Sequence, residues 1–260
     1  MDLGIKGKHA IVMASSKGLG FACANALARE GVNIVLNGRR SEPVQNAAKS
    51  LRQNHGISVV TVVADCTSEA GRSELLNACP EPDILILNGG GPPPTAFAKT
   101  DQKDWENTLH NTLISPLLMV QSVLPGMRDR QFGRIVAITS AMVKTPHPVM
   151  SLSHAPRTGL TSVLKSISRD CVADNVTINQ LLPERFDTDR HRSLLKATSK
   201  AKGVSEAVAE KDIINSLAAG RLGRPEEFGD ACAFLCAAQS GYICGQNLML
   251  DGGNYRGQPG

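Results

Sequence analysis

Apolar runs alternate with amphipathic stretches along almost the whole chain. The runs with the length and composition of buried parallel strands are residues 9–14, 32–37, 57–64, 83–88, 133–139, 175–181 and 247–250. Helical periodicity marks the stretches near 19–29, 41–53, 68–78, 101–130, 153–173 and 225–238. Because strands that alternate with helices pack into a parallel sheet covered on both faces, the pattern predicts a doubly wound α/β fold.

This alternation runs on without a linker, an internal repeat or a low-complexity segment. We therefore expect residues 1–260 to form a single domain. Residues 183–222 break the rhythm, because they are polar, rich in Lys and Ser, and follow the end of a strand. A polar segment in that place is typical of a mobile lid over a site.

The first predicted strand leads into a short turn, Ala14-Ser15-Ser16-Lys17-Gly18-Leu19-Gly20, and the turn leads directly into an alanine-rich helix. Backbone N–H groups at a helix start suit a phosphate. Gly18 and Gly20 allow a pyrophosphate to approach closely, while Ala14 stands where a dinucleotide fingerprint has its first glycine. The turn predicts a dinucleotide site, and the alternative is an ordinary strand-to-helix connection.

The second predicted strand ends in Asn37-Gly38-Arg39-Arg40, without the acidic residue that usually binds the ribose of NAD. Arg39 and Arg40, with Lys17 in the turn, are suited to a 2′-phosphate because guanidinium groups match phosphate geometry. The sequence therefore favours NADP(H) over NAD. The alternative is that these residues are solvated surface charges.

Two further motifs follow predicted strands, where ligands collect in open α/β sheets. Asp65-Cys66 follows the third strand and Asn88-Gly89-Gly90 follows the fourth. The run of three glycines and three prolines at 89–94 lets a ligand lie close to bare backbone and then stiffens the exit.

Composition gives little support to nucleic-acid or membrane partners. The net charge is only +4, aromatic residues make up 3%, and no basic–aromatic cluster is present. No apolar run approaches transmembrane length, and the first strand starts without a signal-like segment. The seven scattered cysteines form no C-x-x-C pair and predict buried, reduced thiols rather than a metal site. We expect a cytoplasmic protein.

In their order along the chain, these motifs resemble those of the short-chain dehydrogenase/reductase family, and within it the 3-oxoacyl-acyl-carrier-protein reductases. The resemblance covers residues 5–253 and rests on segments 14–20, 65, 88–90, 133–140, 220–227 and 245–253. It implies a seven-stranded Rossmann-type sheet, a nicotinamide cofactor, a small-molecule carbonyl substrate and a homotetramer. We expect NADP(H) to contact Ala14, Ser16, Lys17, Gly18, Leu19, Gly20, Arg39, Asp65, Cys66, Asn88, Gly89, Gly90, Arg157, Pro183 and Thr188.

The chain departs from this family at its reacting residues. The family's reaction needs a serine, a tyrosine thirteen residues later and a lysine four beyond that. Ser140 matches the serine, but Ser153 and Arg157 stand at the other two positions. In the long helix, Thr112 stands where the family has an asparagine, and Asn111 lies one residue earlier.

In the family, the tyrosine hydroxyl gives its proton to the carbonyl oxygen, and the lysine lowers the tyrosine pKa and holds the ribose. The hydroxyl of Ser153 is less acidic than a phenol and reaches less far. Arg157 can hold ribose hydroxyls but cannot relay a proton, because it stays protonated. The other tyrosines, Tyr242 and Tyr255, lie near the end of the chain. An alternative role for Ser153 is that of a helix N-cap.

Histidines near these positions are candidate proton donors, since imidazole titrates near neutrality. His147 lies in a loop after Ser140, and His154 is next to Ser153. One step along a helix turns a side chain by about 100°, so His154 need not share the face of Ser153. For each histidine the alternative is a packing or surface role.

Three functions remain open from the sequence. The first is an NADPH-dependent carbonyl reductase in which Ser140 binds the carbonyl oxygen, Arg157 places the ribose, and His147 or water supplies the proton. The second is a nucleotide-binding homologue that does not reduce, such as a sensor or inactive subunit. The third is lyase or isomerase chemistry with Glu184 as base, in place of the family's glycine after Pro183.

Overall fold

Residues 1–257 are described by a computed structural model, in which seven strands form one parallel sheet. The strands are β1 (His9–Val12), β2 (Asn33–Gly38), β3 (Val59–Val63), β4 (Ile84–Leu87), β5 (Gly133–Ile138), β6 (Val176–Pro183) and β7 (Asn247–Leu250). Their order across the sheet is β3-β2-β1-β4-β5-β6-β7, and every pairing is parallel. The predicted doubly wound, Rossmann-type fold is confirmed.

Helices cover both faces of this sheet. They are α1 (Gly18–Arg29), α2 (Ser41–His55), α3 (Glu69–Ala78), α4 (Gln102–Leu109), α5 (Ser115–Asp129), α6 (Ser151–Cys171), α7 (Asp189–Lys202), α8 (Glu206–Asn215) and α9 (Pro225–Cys236). A π-helical turn, His110–Ile114, joins α4 to α5 without a break, so the helix predicted at 101–130 is continuous but locally widened. Asp101 and Asp104 form a capping box at its start.

The two-residue period of β1 shows how the core divides. Ala10 and Val12 pack in a cluster with α1, α2 and α9, whereas Ile11 and Met13 pack on the other face with α5 and α6. All four side chains are buried. Because each large apolar side chain fully removed from water contributes about 1.5–3 kcal/mol, this alternation fixes the register of the central strand. The turn after β1 therefore has a rigid support.

Two local predictions differ from the structure. Residues 183–222 contain α7 and α8, which the sequence pattern does not reveal because these helices bury few side chains, among them Leu195 and Ala209. Helix α6 begins at Ser151 rather than 153. The N-cap role considered for Ser153 is therefore wrong, since Ser153 lies inside the first turn.

The seven cysteines are free thiols, and six of them are buried. No group of three His, Cys, Asp or Glu side chains in the described part of the chain is arranged to hold a metal ion. Within residues 1–257, none of the helices combines the length and apolar character needed to cross a membrane.

Candidate active site

The turn after β1 keeps its shape through hydrogen bonds with β2. Ser15 Oγ donates to the carbonyl oxygen of Val12 at 2.6 Å and accepts from the backbone N–H of Asn37 at 3.0 Å. Asn37 Oδ1 accepts from the backbone N–H of Ala14 at 3.1 Å, and Asn37 Nδ2 donates to two carbonyl oxygens at the end of β3. Sequence reasoning missed both positioning residues, although a polar Asn closing an apolar run was a signal for one.

Gly20 sits where the turn, helix α1 and the end of β4 meet. A Cβ added there would lie 2.5 Å from Asn88 Nδ2 and 2.6 Å from the carbonyl oxygen of Ala14. These two groups are themselves hydrogen-bonded at 2.9 Å. The first turn of α1 carries no acidic side chain of its own, so its N–H groups suit an anion.

Ala14 adopts a left-handed conformation with φ of +46°, which explains why a glycine is usual at this position. Such a conformation costs an L-residue about 1–2 kcal/mol. We expect Ala14→Gly to raise the free energy of unfolding by about 1 kcal/mol, after allowance for glycine's greater freedom in the unfolded chain. Chemical denaturation measures this. The matched change Ala22→Gly, in the interior of α1, should lower stability by a similar amount; equal effects of the two would contradict the strain at Ala14.

The predicted phosphate-binding cations have different surroundings. Arg39 is exposed at the end of β2 and approaches Asp65. The pKa of Asp65 is lowered chiefly by the backbone N–H of Thr67, with help from the Thr67 hydroxyl and Arg39. Lys17 instead extends to the start of α7, where its Nζ lies 3.3 Å from Asp189 Oδ2. Both partners of that pair are exposed.

Cys66 and the glycines after β4 differ in what they offer a ligand. The Cys66 side chain packs in the core with α3 and α5 residues, and burial raises the pKa of its thiol to about 11. Its carbonyl oxygen accepts a hydrogen bond from Ser115 Oγ at 2.9 Å. By contrast, a Cβ added to Gly89 or Gly90 would meet no atom within 4 Å, so a ligand has room against this backbone.

Helix α6 presents Ser153 and Arg157 on one face, because residues four apart on a helix are neighbours. Arg157 Nη1 donates to Ser153 Oγ at 2.7 Å and to the Ser153 carbonyl oxygen at 2.9 Å. Burial, and to a lesser extent the positive charge of nearby Arg190, lowers the pKa of Arg157 to about 10. The Arg157 guanidinium therefore remains charged at neutral pH. Ser140 lies just beyond β5, and the turn that follows it packs against α6.

Arg190, on α7, lies beside the candidate site, and sequence reasoning missed it. Its Nη1 and Nη2 atoms donate to the carbonyl oxygens of Gly91 and Pro92, each at 3.2 Å. It thereby connects the 183–222 segment to the loop after β4. A Cβ added to Gly91 would lie 3.0 Å from Arg190 Nη2 and 3.1 Å from Arg157 Nη2. No sequence pattern indicates that these two arginines, 33 residues apart, both approach one glycine.

The remaining polar candidates, Asn111, His147 and His154, make no hydrogen bond to Ser153 within residues 1–257. Asn111 is exposed within the π-helical turn, beside the partly buried Thr112. His147 is exposed in the loop before α6, and His154 is partly buried. Among residues 1–257, neither imidazole ring makes a hydrogen bond to another residue. Their candidacy as proton donors stays a prediction.

At the end of β6, the chain turns away from Pro183 into the 183–222 segment. Glu184 accepts from Asn254 Nδ2 at 2.7 Å, and burial raises the pKa of its carboxyl group. Thr188 caps α7, with its Oγ1 accepting from the backbone N–H of His191 at 3.3 Å. Glu184 is thus engaged with the C-terminal segment, while Thr188 lies at the start of the helix that carries Asp189.

These features gather at the carboxyl edge of the sheet. The strand order reverses between β1 and β4, and ligands of open α/β sheets bind at such a switch point. The turn and strand ends there carry the predicted residues Ala14, Ser16, Lys17, Gly18, Leu19, Gly20, Arg39, Asp65, Cys66, Asn88, Gly89 and Gly90. Sheet topology and turn together define a Rossmann-type dinucleotide-binding protein.

Comparison with known proteins assigns the family. A family model described as Enoyl-(Acyl carrier protein) reductase matches residues 13–254. Human dehydrogenase/reductase SDR family member 4 is 28% identical over 251 residues, covering 95% of this chain and 87% of that protein. The 3-oxoacyl-[acyl-carrier-protein] reductase FabG of Aquifex aeolicus is 27% identical over 259 residues, covering 98% and 100%. The chain belongs to the short-chain dehydrogenase/reductase family of oxidoreductases.

A solved structure extends this comparison to three dimensions. L-sorbose reductase from Gluconobacter frateurii, complexed with NADPH and L-sorbose, superposes with a TM-score of 0.94. The two sequences are 25% identical, and the match covers 99% of this chain and 100% of the other. The fold is therefore that of the family along nearly the whole chain.

Proposed function

We propose that this chain is an NADPH-dependent reductase of a small-molecule carbonyl compound, similar in reaction to 3-oxoacyl-acyl-carrier-protein reductases, with a non-standard proton donor. The observation that carries the proposal is the closely packed turn at Gly20, which leaves the uncompensated N–H groups of α1 at the switch point of the sheet. Two similar proteins, L-sorbose reductase and the NADPH-dependent reductase BacG of Bacillus subtilis, are described with NADPH.

The residues present fit this cofactor. The turn at 14–20 offers backbone N–H groups for the pyrophosphate, and the open backbone of Gly89 and Gly90 leaves room beside it. Arg39 is exposed at the end of β2 and suits a 2′-phosphate, and Lys17 can join it by leaving Asp189. Pro183, at the end of β6, and Thr188, at the start of α7, would hold the nicotinamide end. When bound, NADPH supplies a hydride to a carbonyl carbon.

The chain's own residues then bind and polarise the carbonyl oxygen. Ser140 donates a hydrogen bond to it. Ser153 Oγ already accepts from Arg157, so its own O–H is available to donate toward the substrate, and Arg157 also holds ribose hydroxyls. His147 or ordered water supplies the proton, since Arg157 stays protonated.

Calorimetric titration with NADPH and, in parallel, NADH tests the cofactor assignment. We expect NADPH to bind more tightly, and Arg39→Gln to reduce that difference. Loss of reduced-nicotinamide absorbance with a panel of ketones tests the reaction. Tight NADPH binding without measurable reduction of any ketone would overturn the reductase and favour the second candidate.

That second candidate, a nucleotide-binding homologue that does not reduce, is favoured by the joint presence of Ser153 and Arg157 at the reacting positions. Hydride transfer to a carbonyl substrate would exclude it. Lyase or isomerase chemistry through Glu184 has less support, because its carboxyl group is hydrogen-bonded to Asn254.

We also propose a single-domain subunit that forms a homotetramer, with residues 183–222 as a lid. Exposed apolar side chains on the long helix and on α6, namely Leu109, Ile114 and Val163, support burial against another subunit. Light scattering at micromolar concentration tests this, and a monomer would contradict it. The contacts Lys17–Asp189 and Arg190–Gly91 support a lid that closes over the site.

A further inference from the structure

Two guanidinium groups converge beside the candidate reacting residues. Nη2 of Arg157 and Nη2 of Arg190 each lie about 3 Å from one point next to Gly91, the position of an added Cβ. They therefore lie within about twice that distance of each other. Arg157 comes from α6 and Arg190 from α7, so the segment 183–222 completes the pair.

No acidic side chain in the described part of the chain forms an ion pair with either group. Among residues 1–257, Arg157 donates only to oxygens of Ser153, and Arg190 only to the carbonyl oxygens of Gly91 and Pro92. Arg192, two residues along α7, is different in this respect, since it pairs with Asp187 and Asp189. Two like charges held together without a counter-charge repel each other and favour a bound anion.

We propose that Arg157 and Arg190 form a binding site for a carboxylate group of the substrate, so that the substrate is an oxo acid. Each guanidinium retains N–H groups beyond those used in the hydrogen bonds above, in the planar arrangement that matches a carboxylate. The pKa of Arg157 is lowered by burial and then by the repulsion from Arg190; an anion bound by the pair would offset the second of these causes. Naming the substrate rests on the proposed function; the anion site itself does not.

The position of the pair favours the substrate over the cofactor as the source of the anion. Arg157 bonds directly to Ser153, so a carboxylate held by it lies next to the group proposed to contact the reacting carbonyl. The N–H groups suited to the cofactor's pyrophosphate lie at the start of α1, where Lys17 is the nearby cation. A cofactor phosphate at Arg190 is the competing outcome of the test.

The test is calorimetric binding, which requires no turnover. The probes are 2-oxobutanoate, 3-oxobutanoate and 4-oxopentanoate, each compared with its methyl ester, titrated into free protein and into protein saturated with NADPH. At least one acid should bind about tenfold or more tightly than its ester. In Arg190→Gln that preference, the ratio of the ester's dissociation constant to the acid's, should fall by about tenfold. Arg192→Gln, two residues along α7, is the matched control and should keep the preference.

Each other result overturns the inference. If no acid binds better than its ester, the pair does not hold a carboxylate. If Arg190→Gln weakens NADPH binding and leaves the acid preference unchanged, Arg190 serves the cofactor. If Arg192→Gln lowers the acid preference as much as Arg190→Gln does, the preference reflects the overall positive charge of the region and not a specific site. Absence of NADPH binding would contradict the proposed function but not the anion site, because titration of the free protein with the acids and esters tests that site independently.

Discussion

Replacing Gly20 with alanine is expected to weaken NADPH binding by about a hundredfold. The added Cβ would lie 2.5 Å from Asn88 Nδ2 and 2.6 Å from the carbonyl oxygen of Ala14. The second of these atoms is backbone, so the turn or α1 must move. Overpacking of this kind costs about 1–3 kcal/mol, and the upper end corresponds to about two powers of ten in affinity. Calorimetric titration with NADPH measures the change.

Gly126→Ala in α5 is the matched control. Its added Cβ would approach only Arg130 Nη1, at 3.1 Å, which is the flexible end of a side chain. We expect unchanged NADPH affinity and a gain in stability of up to about 1 kcal/mol, because alanine is the better helix former. Circular dichroism establishes that both variants are folded. Wild-type affinity in a folded Gly20→Ala would show that the turn does not bind the cofactor.

The double change Ser153→Tyr and Arg157→Lys is expected to raise ketone reduction by about 10²–10⁴-fold, the range usual for a positioned general acid. The phenol is a far better proton donor than the serine hydroxyl, and a lysine ammonium lowers its pKa. Lysine also vacates part of the space beside Ser153, which is only 5% exposed. The measurement is kcat/KM for a ketone at saturating NADPH.

The control is Ser153→Phe with Arg157→Lys, which adds nearly the same volume without a hydroxyl group. It should show no gain, so that an increase in the tyrosine variant reports the proton donor rather than reshaping of the cleft. No gain in either variant would mean that other residues around the reacting positions also differ from those of the family. Arg190 is the first residue to consider. Because Arg190 and Arg157 both approach Gly91, Arg190 can displace a phenol.

Sequence periodicity was sufficient for the sheet and for the helices that pack on it. A strand such as β4, with every residue buried, has a continuous apolar run, and the amphipathic pattern of α2 reports one buried face. The glycine turn was also readable, because close backbone approach restricts residue type at Gly20. These elements are predictable because burial and backbone geometry restrict the residue type at each position, whatever the distant parts of the chain do.

Contacts between segments that are distant in the sequence cannot be predicted from such patterns. The meeting of Arg190 with Gly91, and of Lys17 with Asp189, depends on where α7 lies, and α7 buries too few side chains to be predicted. The side chain of Cys66 packs in the core, which the sequence pattern does not predict because Cys66 lies beyond Val63, the last residue of β3; its contact with the cofactor stays a prediction. The start of α6 at Ser151 followed from a preceding turn that the pattern did not show.

We expect the exposed ion pair between Lys17 and Asp189 to make the association rate of the cofactor depend on ionic strength. In the proposed complex the phosphates of the dinucleotide approach beside Asp189, which forms an ion pair with Lys17 in the free protein. Added salt screens both the pair and the attraction between Lys17 and the phosphates, within a Debye length of about 8 Å at physiological salt. In a variant without the Asp189 charge, salt no longer releases Lys17 from an ion pair and only weakens the attraction between Lys17 and the phosphates. The association rate of that variant would therefore fall more steeply with added salt than that of the natural chain.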